Sequence, residues 1–285
     1  MNDFKLRPWR REDMPRLATL WHDAFGDDED YIETFNSMFL LKPGGCIVAE
    51  TAGKLVSAMY IMDGPKLCLP GGERLSSAYT YALATDPAWR GRGIGTAVYK
   101  ACVTTALERA DAAFVLPAES ELYPFYEKAA GCATLGAVRE AHLTPDAFDG
   151  LAKTPLELLL PEEYELRRES IMSQKPHGVM TDDFVVLQAY HMARFGGGFF
   201  AAGSAVATVE MAGDICRVVE LLAPDGDGMA ALAAIADAFP AKNYLVRSPV
   251  FMDGPGSLRP FQLAALRPGL TPSLFDGFWW GFAFD

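Results

Sequence analysis

The sequence predicts an α+β protein with a mixed, largely antiparallel sheet flanked by helices, followed by a second, smaller half. Three strand-like segments at 46–50, 55–62 and 75–84 are separated by AG, DGP and PGG turns, which is typical of a meander. A glycine-rich loop then precedes an amphipathic helix. The second half repeats this order of elements, and the helices and strands of each half complete a layered α+β arrangement.

Two helices are expected before the meander. Leu17, Leu20, Trp21 and Phe25 recur at helical spacing, and a second helical stretch opens on the acidic run 27–30. Acids at a helix start are favoured by the helix dipole, so capping is preferred over substrate binding as the reason for this run. Aromatic side chains at this spacing are usually core residues, and the same holds for Trp279 and Trp280.

After the glycine loop, the periodicity predicts a helix from Ile94 that carries an apolar face. A buried strand, AAFVLPA, follows it. The segment ELYPFYEKAAG is expected to be a short helix that ends at Gly131, since glycine is a common helix stop. CATLGAVREAHLT then closes the first unit with one or two strands.

The chain is divided into residues 1–145, a helical connector at 146–178 and a second unit at 179–285. The connector is charged, and its core is PLELLLPEEYELRRESIMSQKPH. The second unit is predicted to contain one helix, GMAALAAIADAF, and several strands: FFAAGSAVATVEMAG, DICRVVELLAP, AKNYLVRSP, RPFQLAALRPG and WWGFAFD.

Composition restricts the location and the partners. No apolar run reaches the roughly 18 residues that span a bilayer, the N-terminus lacks an apolar signal core, and five scattered cysteines suggest reduced thiols, so a cytoplasmic protein without membrane contact is expected. The net charge of −12 disfavours nucleic acid. His22, His142, His177 and His191 lack ligand spacing, so no metal site is predicted.

The loop RGRGIG, from Arg90 to Gly95, combines the features of an anion site. It lies between a strand and a helix, where unpaired N–H groups and the helix dipole attract anions. The mononucleotide P-loop is excluded because Gly-Lys-Ser/Thr is absent. The dinucleotide pattern GxGxxG is excluded because Thr96 stands at the third glycine. The spacing Arg-x-x-Gly-x-Gly remains.

This motif, preceded by YTYALATDP, resembles the acetyl-CoA-binding motif of the GCN5-related N-acetyltransferases, or GNAT proteins. LPAESELYPFYEKAAGC, thirty residues later, resembles the later motif of the same superfamily. The resemblance covers about residues 6–144 and implies a GNAT-type sheet. The second half resembles the superfamily in element order alone, as in two-fold acetyltransferases of the enhanced-intracellular-survival type and in N-myristoyltransferases.

The resemblance implies a set of residues that bind acetyl-CoA. The strand end would pair with the pantetheine arm, the loop would hold the pyrophosphate on main-chain N–H groups, and Glu119 stands where relatives usually have an asparagine. The set comprises Leu83, Ala84, Thr85, Arg90, Gly91, Arg92, Gly93, Ile94, Gly95, Thr96 and Glu119. The second half has the acidic APDGDGM at the corresponding place, so we expect one acetyl-CoA per chain.

The resemblance also implies that Tyr126 delivers a proton to the sulfur and that a backbone N–H near Leu83 stabilises the oxyanion. The general base is open, because the strand SAYTYALA contains no acid. Two-fold relatives use the terminal carboxylate, so Asp285 is the candidate. The alternative is a C-terminal strand that only completes a sheet.

The predicted function is acetyl transfer from acetyl-CoA to a primary amine of a small molecule or peptide by direct attack. The alternatives are a non-catalytic acyl-CoA sensor and an enzyme for longer acyl chains. The acidic balance favours a cationic acceptor such as a polyamine, an aminoglycoside or a lysine side chain, but solvated acids explain it equally well. The oligomeric state is open.

Overall fold

The computed structural model of the protein describes residues 4–42 and 45–281. Within these ranges the chain forms a large sheet, a small sheet and helices on both faces of the large one. The strands are β1 (Lys5–Pro8), β2 (Cys46–Thr51), β3 (Lys54–Asp63), β4 (Lys66–Cys68), β5 (Arg74–Leu75), β6 (Ser77–Thr85), β7 (Ala112–Val115), β8 (Ala133–Leu143), β9 (Leu156–Leu159), β10 (His177–Val179), β11 (Gly198–Ala202), β12 (Ala205–Ala212), β13 (Ile215–Leu222), β14 (Asn243–Pro249) and β15 (Ser257–Leu266).

The helices have capping signals that can be read in the sequence. In one of them Asp28 accepts the N–H of Tyr31, and another ends at Gly131 in the left-handed conformation. The helices are α1 (Met14–Phe25), α2 (Glu29–Phe35), α3 (Ile94–Leu107), α4 (Tyr123–Ala130), α5 (Pro161–Met172), α6 (Asp182–Arg194) and α7 (Gly228–Ala238). Shorter helical turns lie at Arg11–Asp13, Asn36–Leu40, Pro87–Trp89, Ser120–Leu122, Pro145–Phe148 and Pro272–Phe275.

The twelve strands of the large sheet run in the order β1-β2-β3-β6-β7-β15-β8-β14-β13-β12-β11-β9, and β10-β4-β5 form the small sheet. Two neighbouring pairs are parallel, β6 with β7 and β13 with β14, and the other pairs are antiparallel. One parallel pair lies in each half of the chain. The predicted fold class, a mixed and largely antiparallel sheet flanked by helices, is confirmed.

The two halves exchange their last long strands. β15 comes from the second half, yet it pairs with β7 on one side and with β8 on the other. In return β8, from the first half, pairs with β14. Each half therefore contains a strand that the other half supplies, and the two parallel pairs belong to one continuous sheet.

The helices form two layers around the sheet. On one face α1, α2, α5 and α6 pack in a core that spans both halves and includes Trp21, Trp279 and Trp280, each 1–2% exposed. On the other face α3 and α4 cover the first half and α7 covers the second. The three tryptophans are therefore core residues, as their spacing indicated. Phe25, at the same helical spacing, is instead 47% exposed and is not a core residue.

Most of the predicted elements are found, with three differences. The predicted strand WWGFAFD does not form within the described residues 279–281, where Trp279 makes an isolated bridge to His177. The meander strands, the helix after the glycine loop and the helix that ends at Gly131 are confirmed. The connector at 146–178 is not helical throughout: Leu156–Leu159 forms β9 at the sheet edge, and α5 begins only at Pro161. Proline fixes its own φ and disfavours a helical residue before it, which explains this boundary. The helix α6 was not predicted.

None of the helices in the described ranges is both long enough and apolar enough to cross a membrane. No cluster of potential metal ligands is found among the described residues. The five cysteines are free. The division into residues 1–145, 146–178 and 179–285 stays a prediction.

Candidate active site

The parallel strands β6 and β7 separate and open a cleft in the sheet. Their backbone pairing ends at Tyr79 and Phe114. The side chain of Thr80 is fully buried, and its hydroxyl donates to the carbonyl oxygen of Phe114 at 3.0 Å. This hydrogen bond joins the two strands where their backbone pairing ends. Beyond Thr80 the two strands diverge, so backbone groups at the end of β6 face open space.

A bulge in β6 adds to this opening. Tyr81 pairs with Tyr60 and Ala84 pairs with Ala58, which leaves Ala82 and Leu83 without partners in the register. Ala82 has φ +52°, a strained value for a residue with a side chain. The extra residue of a bulge is left outside the strand ladder. The peptide groups of Ala82 and Leu83 are thus positioned to bind a ligand rather than to pair with β3.

The glycine loop forms the first wall of the cleft. Gly91 and Gly93 both have φ +75°, and a Cβ added at either position would meet no atom within 4 Å. This conformation strongly favours glycine, and the space beside it is open to a ligand. Gly93 immediately precedes α3, whose first N–H groups have no partner within the helix. The loop thus has the geometry of an anion cradle.

A salt-bridge network fixes the loop to the sheet. The Asp86 side chain accepts the N–H of Ala88 at 3.0 Å and pairs with Arg16 at 2.5 Å and Lys54 at 3.5 Å. Burial opposes the charged carboxylate, but the Ala88 N–H and the two cations hold the pKa of Asp86 below its ordinary value. The cradle is therefore held in shape without a ligand.

The side chains of the two arginines in the loop hydrogen-bond to backbone carbonyl oxygens of the protein itself. Arg90 donates through Nε to the carbonyl oxygen of Thr85 at 3.0 Å. Arg92 donates to the carbonyl oxygen of Ala88 at 3.2 Å, and its guanidinium lies 4.6 Å from the ring centroid of Trp89. Both side chains are exposed. They stabilise the turn, and the main chain supplies the donors of the cradle.

We name the space beside this loop the loop cleft; its volume is about 720 Å³. Ten of the eleven residues that the sequence assigned to acetyl-CoA line it, and Arg92 does not. The cleft is lined by Ala24, Phe25, Leu83, Ala84, Thr85, Trp89, Arg90, Gly91, Gly93, Ile94, Gly95, Thr96, Ala118, Glu119, Leu122, Phe125 and Tyr126.

A second space, which we name the aromatic pocket, adjoins the loop cleft and has a volume of about 320 Å³. Leu83 and Tyr126 line both spaces, so the two meet at the bulge of β6. Its lining is mostly apolar, with a few polar groups, as in sites for small molecules. It is formed by Phe25, Asp27, Tyr31, Met59, Thr80, Tyr81, Ala82, Leu83, Val115, Leu116, Ala118, Leu122, Tyr126 and His191.

Tyr126 lies at the junction of the two spaces. Its ring packs edge-on against Tyr99, with 4.8 Å between centroids, and its side chain is 8% exposed. Burial raises the pKa of Tyr126 to about 12. The phenol therefore keeps its proton at neutral pH, and its hydroxyl makes no hydrogen bond within the described ranges.

Sequence reasoning missed several groups of the aromatic pocket. The phenols of Tyr31 and Tyr81 hydrogen-bond to each other, and burial raises the pKa of both. Asp27 accepts the indole N–H of Trp21 at 2.7 Å. His191 comes from α6, in the second half. Asp27 belongs to the acidic run that capping alone was expected to explain, whereas His191 carried no local signal.

The base that the sequence suggests, Asp285, lies outside the described residues. The last residue that the structure describes, Gly281, is packed in the second half: a Cβ there would lie 2.2 Å from Met180 Cε and 2.7 Å from Arg168 Nη2. The assignment of Asp285 stays a prediction.

The comparisons with known proteins agree with this geometry. The family model of the acetyltransferase (GNAT) domain matches residues 5–131, which contain the glycine loop, the bulged strand and Tyr126. Residues 5–131 are therefore similar to a GNAT domain. No curated protein matches the chain in sequence.

Solved structures share the fold of the GNAT domain and of the second half together. A GCN5-related N-acetyltransferase from Kribbella flavida has a TM-score of 0.70 at 14% identity, covering 93% of this chain and 71% of that one. A GCN5-related N-acetyltransferase from Anabaena variabilis has a TM-score of 0.67 at 16% identity, covering 92% and 72%. Eis1 from Mycobacterium abscessus has a TM-score of 0.62 at 14% identity, covering 92% and 73%. At these identities the likeness shows the fold alone.

Proposed function

We propose that this protein is an N-acetyltransferase that moves the acetyl group of acetyl-CoA to a primary amine by direct attack. The observation that carries the proposal is the junction of the loop cleft with the aromatic pocket at Leu83 and Tyr126. A donor in the first space and an acceptor in the second would bring their reacting atoms together there. Such positioning accounts for a large part of the rate in two-substrate reactions.

The loop cleft fits acetyl-CoA. The N–H groups at the start of α3 would bind the pyrophosphate in the space that Gly91 and Gly93 leave open. The backbone of β6 from Leu83 to Thr85, which lines the loop cleft, would pair with the amide groups of the pantetheine arm. The exposed carboxylate of Glu119 lines the same cleft and replaces the usual asparagine, so one contact to that arm differs from the family pattern.

Two groups at the junction would assist the transfer. A backbone N–H of the bulge at Ala82 and Leu83 would bind the carbonyl oxygen of the thioester as negative charge develops on it. Tyr126 would donate its proton to the departing sulfur. The thiol of coenzyme A has an ordinary pKa of about 8.5, below that of Tyr126, so this transfer requires the close contact that a bound substrate provides.

The aromatic pocket fits a small amine. Tyr31, Tyr81 and Phe25 would contact an apolar body, and Asp27 would attract an ammonium group. A volume of about 320 Å³ is at the lower end of small-molecule sites. The openness of this pocket to the loop cleft also supports an enzyme over a sensor, since a sensor needs no space for an acceptor.

Thiol release measures this function directly. The full chain would be incubated with acetyl-CoA and separately with phenethylamine, spermidine, kanamycin and a lysine-containing peptide, with mass spectrometry of the products. We expect amine-dependent thiol release and a product heavier by one acetyl group. If acetyl-CoA binds but no thiol is released in the presence of any of these amines, the protein is a sensor. If longer acyl donors are used in preference to acetyl-CoA, the protein is an enzyme for longer acyl chains.

A further inference from the structure

The aromatic pocket contains an imidazole that neither the family motifs nor the sequence pattern assign. Five titratable side chains line this pocket within the described ranges: Asp27, Tyr31, Tyr81, Tyr126 and His191. Burial raises the pKa of each of the three tyrosines, so they remain neutral phenols and are poor bases. Asp27 already accepts a hydrogen bond from Trp21. His191 is left as the side chain of this lining whose neutral form has a ring-nitrogen lone pair that can accept a proton.

The second half delivers His191 to the first half through a defined contact. Tyr190 stacks on Tyr31, with 6.3 Å between centroids and 15° between the rings. His191 meets the same ring edge-on at 5.8 Å, and Arg194 pairs with Asp28. The last turn of α6 is therefore fixed against the start of α2, beside the pocket.

A buried carboxylate orients the imidazole. Nε2 of His191 lies 3.3 Å from Oε2 of Glu210, and Oε1 of Glu210 lies 2.9 Å from Nη1 of Arg217. Glu210 is 4% exposed. A carboxylate that faces one ring nitrogen favours the proton on that nitrogen, which would leave the lone pair on the other. In His191 this other atom is Nδ1, which is shielded from solvent and has no hydrogen-bond partner among the described residues.

We propose that His191, oriented by Glu210, removes the proton from the acceptor amine. This proposal rests on the acetyltransferase function proposed above. It gives the second half a catalytic role: the GNAT domain holds the donor, and the second half supplies the base that β6 lacks.

The base is needed because alkyl amines are mostly protonated at neutral pH. With an ordinary pKa of about 10.4, only about one amine in 2,500 is neutral at pH 7. Nδ1 of His191 takes one proton from the ammonium group, and solvent receives that proton after the product has left the pocket. The neutral nitrogen then bonds to the thioester carbon and the C–S bond breaks. The sulfur receives the proton of Tyr126, and the second proton lost by the nitrogen restores that phenol.

The charged groups around His191 agree with this role. Glu210 and Asp27 favour the imidazolium that forms, while Arg217 opposes it and is paired with Glu210. Arg194 is paired with Asp28 on the exposed side. The phenols of Tyr31 and Tyr81 are uncharged.

A comparison of two amines tests the proposal. Phenethylamine needs a base at pH 7, whereas aniline is already neutral and needs none. His191→Gln should lower kcat for phenethylamine by about 10²–10⁴-fold, while kcat for aniline falls less than tenfold. His142→Gln is the matched control, because His142 also lies beside a glutamate, 3.7 Å from Glu140, but is exposed and lines neither space.

The outcomes separate the two proposals. Suppose that the wild-type chain acetylates amines. If His191→Gln has the same kcat, or if its kcat falls equally for phenethylamine and aniline, the base assignment is overturned and the acetyltransferase function stands. A wild-type chain that acetylates no amine overturns the function itself.

A second measurement needs no acceptor. Nitrogen-15 spectra of labelled histidine in the full chain should show His191 as the Nε2–H tautomer at pH 8, and Glu210→Gln should weaken that preference. The Nδ1–H tautomer in the wild-type protein would contradict the proposal, because Nδ1 would then carry no lone pair.

Discussion

The glycine loops of the two halves occupy corresponding places and differ in chemistry. The first joins β6 to α3 and leaves an open cradle at Gly93. The second joins β13 to α7, and the carboxylate of Asp227 lies at the start of that helix, with its Oδ2 accepting from Ser204 at 3.2 Å. A carboxylate there satisfies the helix dipole but repels a phosphate. The same topology thus places a glycine directly before the helix in one half and a carboxylate there in the other.

The strand ends beside these loops differ in the same way. β6 ends at an open cleft, whereas the N–H of Ala223, directly after β13, donates to the sulfur of Met252 at 3.3 Å. Glu220 of β13 is fully buried and accepts from Tyr164, Arg168 and Trp279. In the second half, side chains occupy the space beside the parallel pair of β13 and β14. We infer that the second half has a structural role and supplies His191, while the first half binds acetyl-CoA.

The largest expected effect comes from closing the open cradle. Gly93→Val adds a branched side chain at φ +75° in the space where phosphate would lie, so the Kd for acetyl-CoA should rise at least about 100-fold. Gly226→Val in the second loop imposes the same strain at φ +76° in open space and should leave Kd unchanged. Calorimetric titration measures both. An equal rise in Kd in the two variants would show that the two loops do not differ in their contribution to acetyl-CoA binding.

Tyr126→Phe should leave acetyl-CoA binding unchanged and lower kcat by about 10²–10⁴-fold, since it deletes the proton donor alone. The control is Tyr123→Phe on the same helix, because its hydroxyl donates to the carbonyl oxygen of Phe261. Steady-state kinetics distinguish the two. With a pKa of about 12, Tyr126 should also show no ionisation below pH 10 in ultraviolet difference spectra against the variant. A kcat within threefold of wild type would rule out the donor role.

Glu220→Ala tests the structural role of the second half. It leaves the guanidinium of Arg168, 1% exposed, without its main partner, so the free energy of unfolding should fall by about 3–5 kcal/mol. Glu157→Ala breaks the exposed pair with Arg167 and should cost less than about 1 kcal/mol. Denaturant unfolding measures both. Similar values would show that the buried network contributes no more than a surface pair.

The smallest expected effect is that of Arg92→Ala. Because this side chain packs on Trp89 and does not line the loop cleft, its loss should raise the Kd for acetyl-CoA only about two- to fivefold. Lys100→Ala, an exposed charge further along α3, controls for general electrostatics. A rise above about 50-fold for Arg92→Ala would show that the side chain, rather than the main chain, binds the phosphates.

The sequence predicts the loop and its helix because both are local. Gly91, Gly93 and the apolar face of α3 are consecutive signals, and so is the helix of Tyr126 that stops at Gly131. The position of β15 between β7 and β8 cannot be predicted in this way, because pairing between distant strands depends on the whole sheet.

The aromatic pocket shows the same limit. The start of α6 has a visible signal, since Thr181 caps it and acids fill its first turn, and this could have been recognised. The role of His191 could not, because its partners Tyr31 and Glu210 come from other parts of the chain.

The number of acetyl-CoA molecules bound per chain tests the central claim most directly. Native mass spectrometry of the full chain with excess acetyl-CoA should show one bound molecule, and Gly93→Val should abolish it. Two bound molecules, or one that persists in Gly93→Val, would show that the second half binds the donor and would contradict the division of roles.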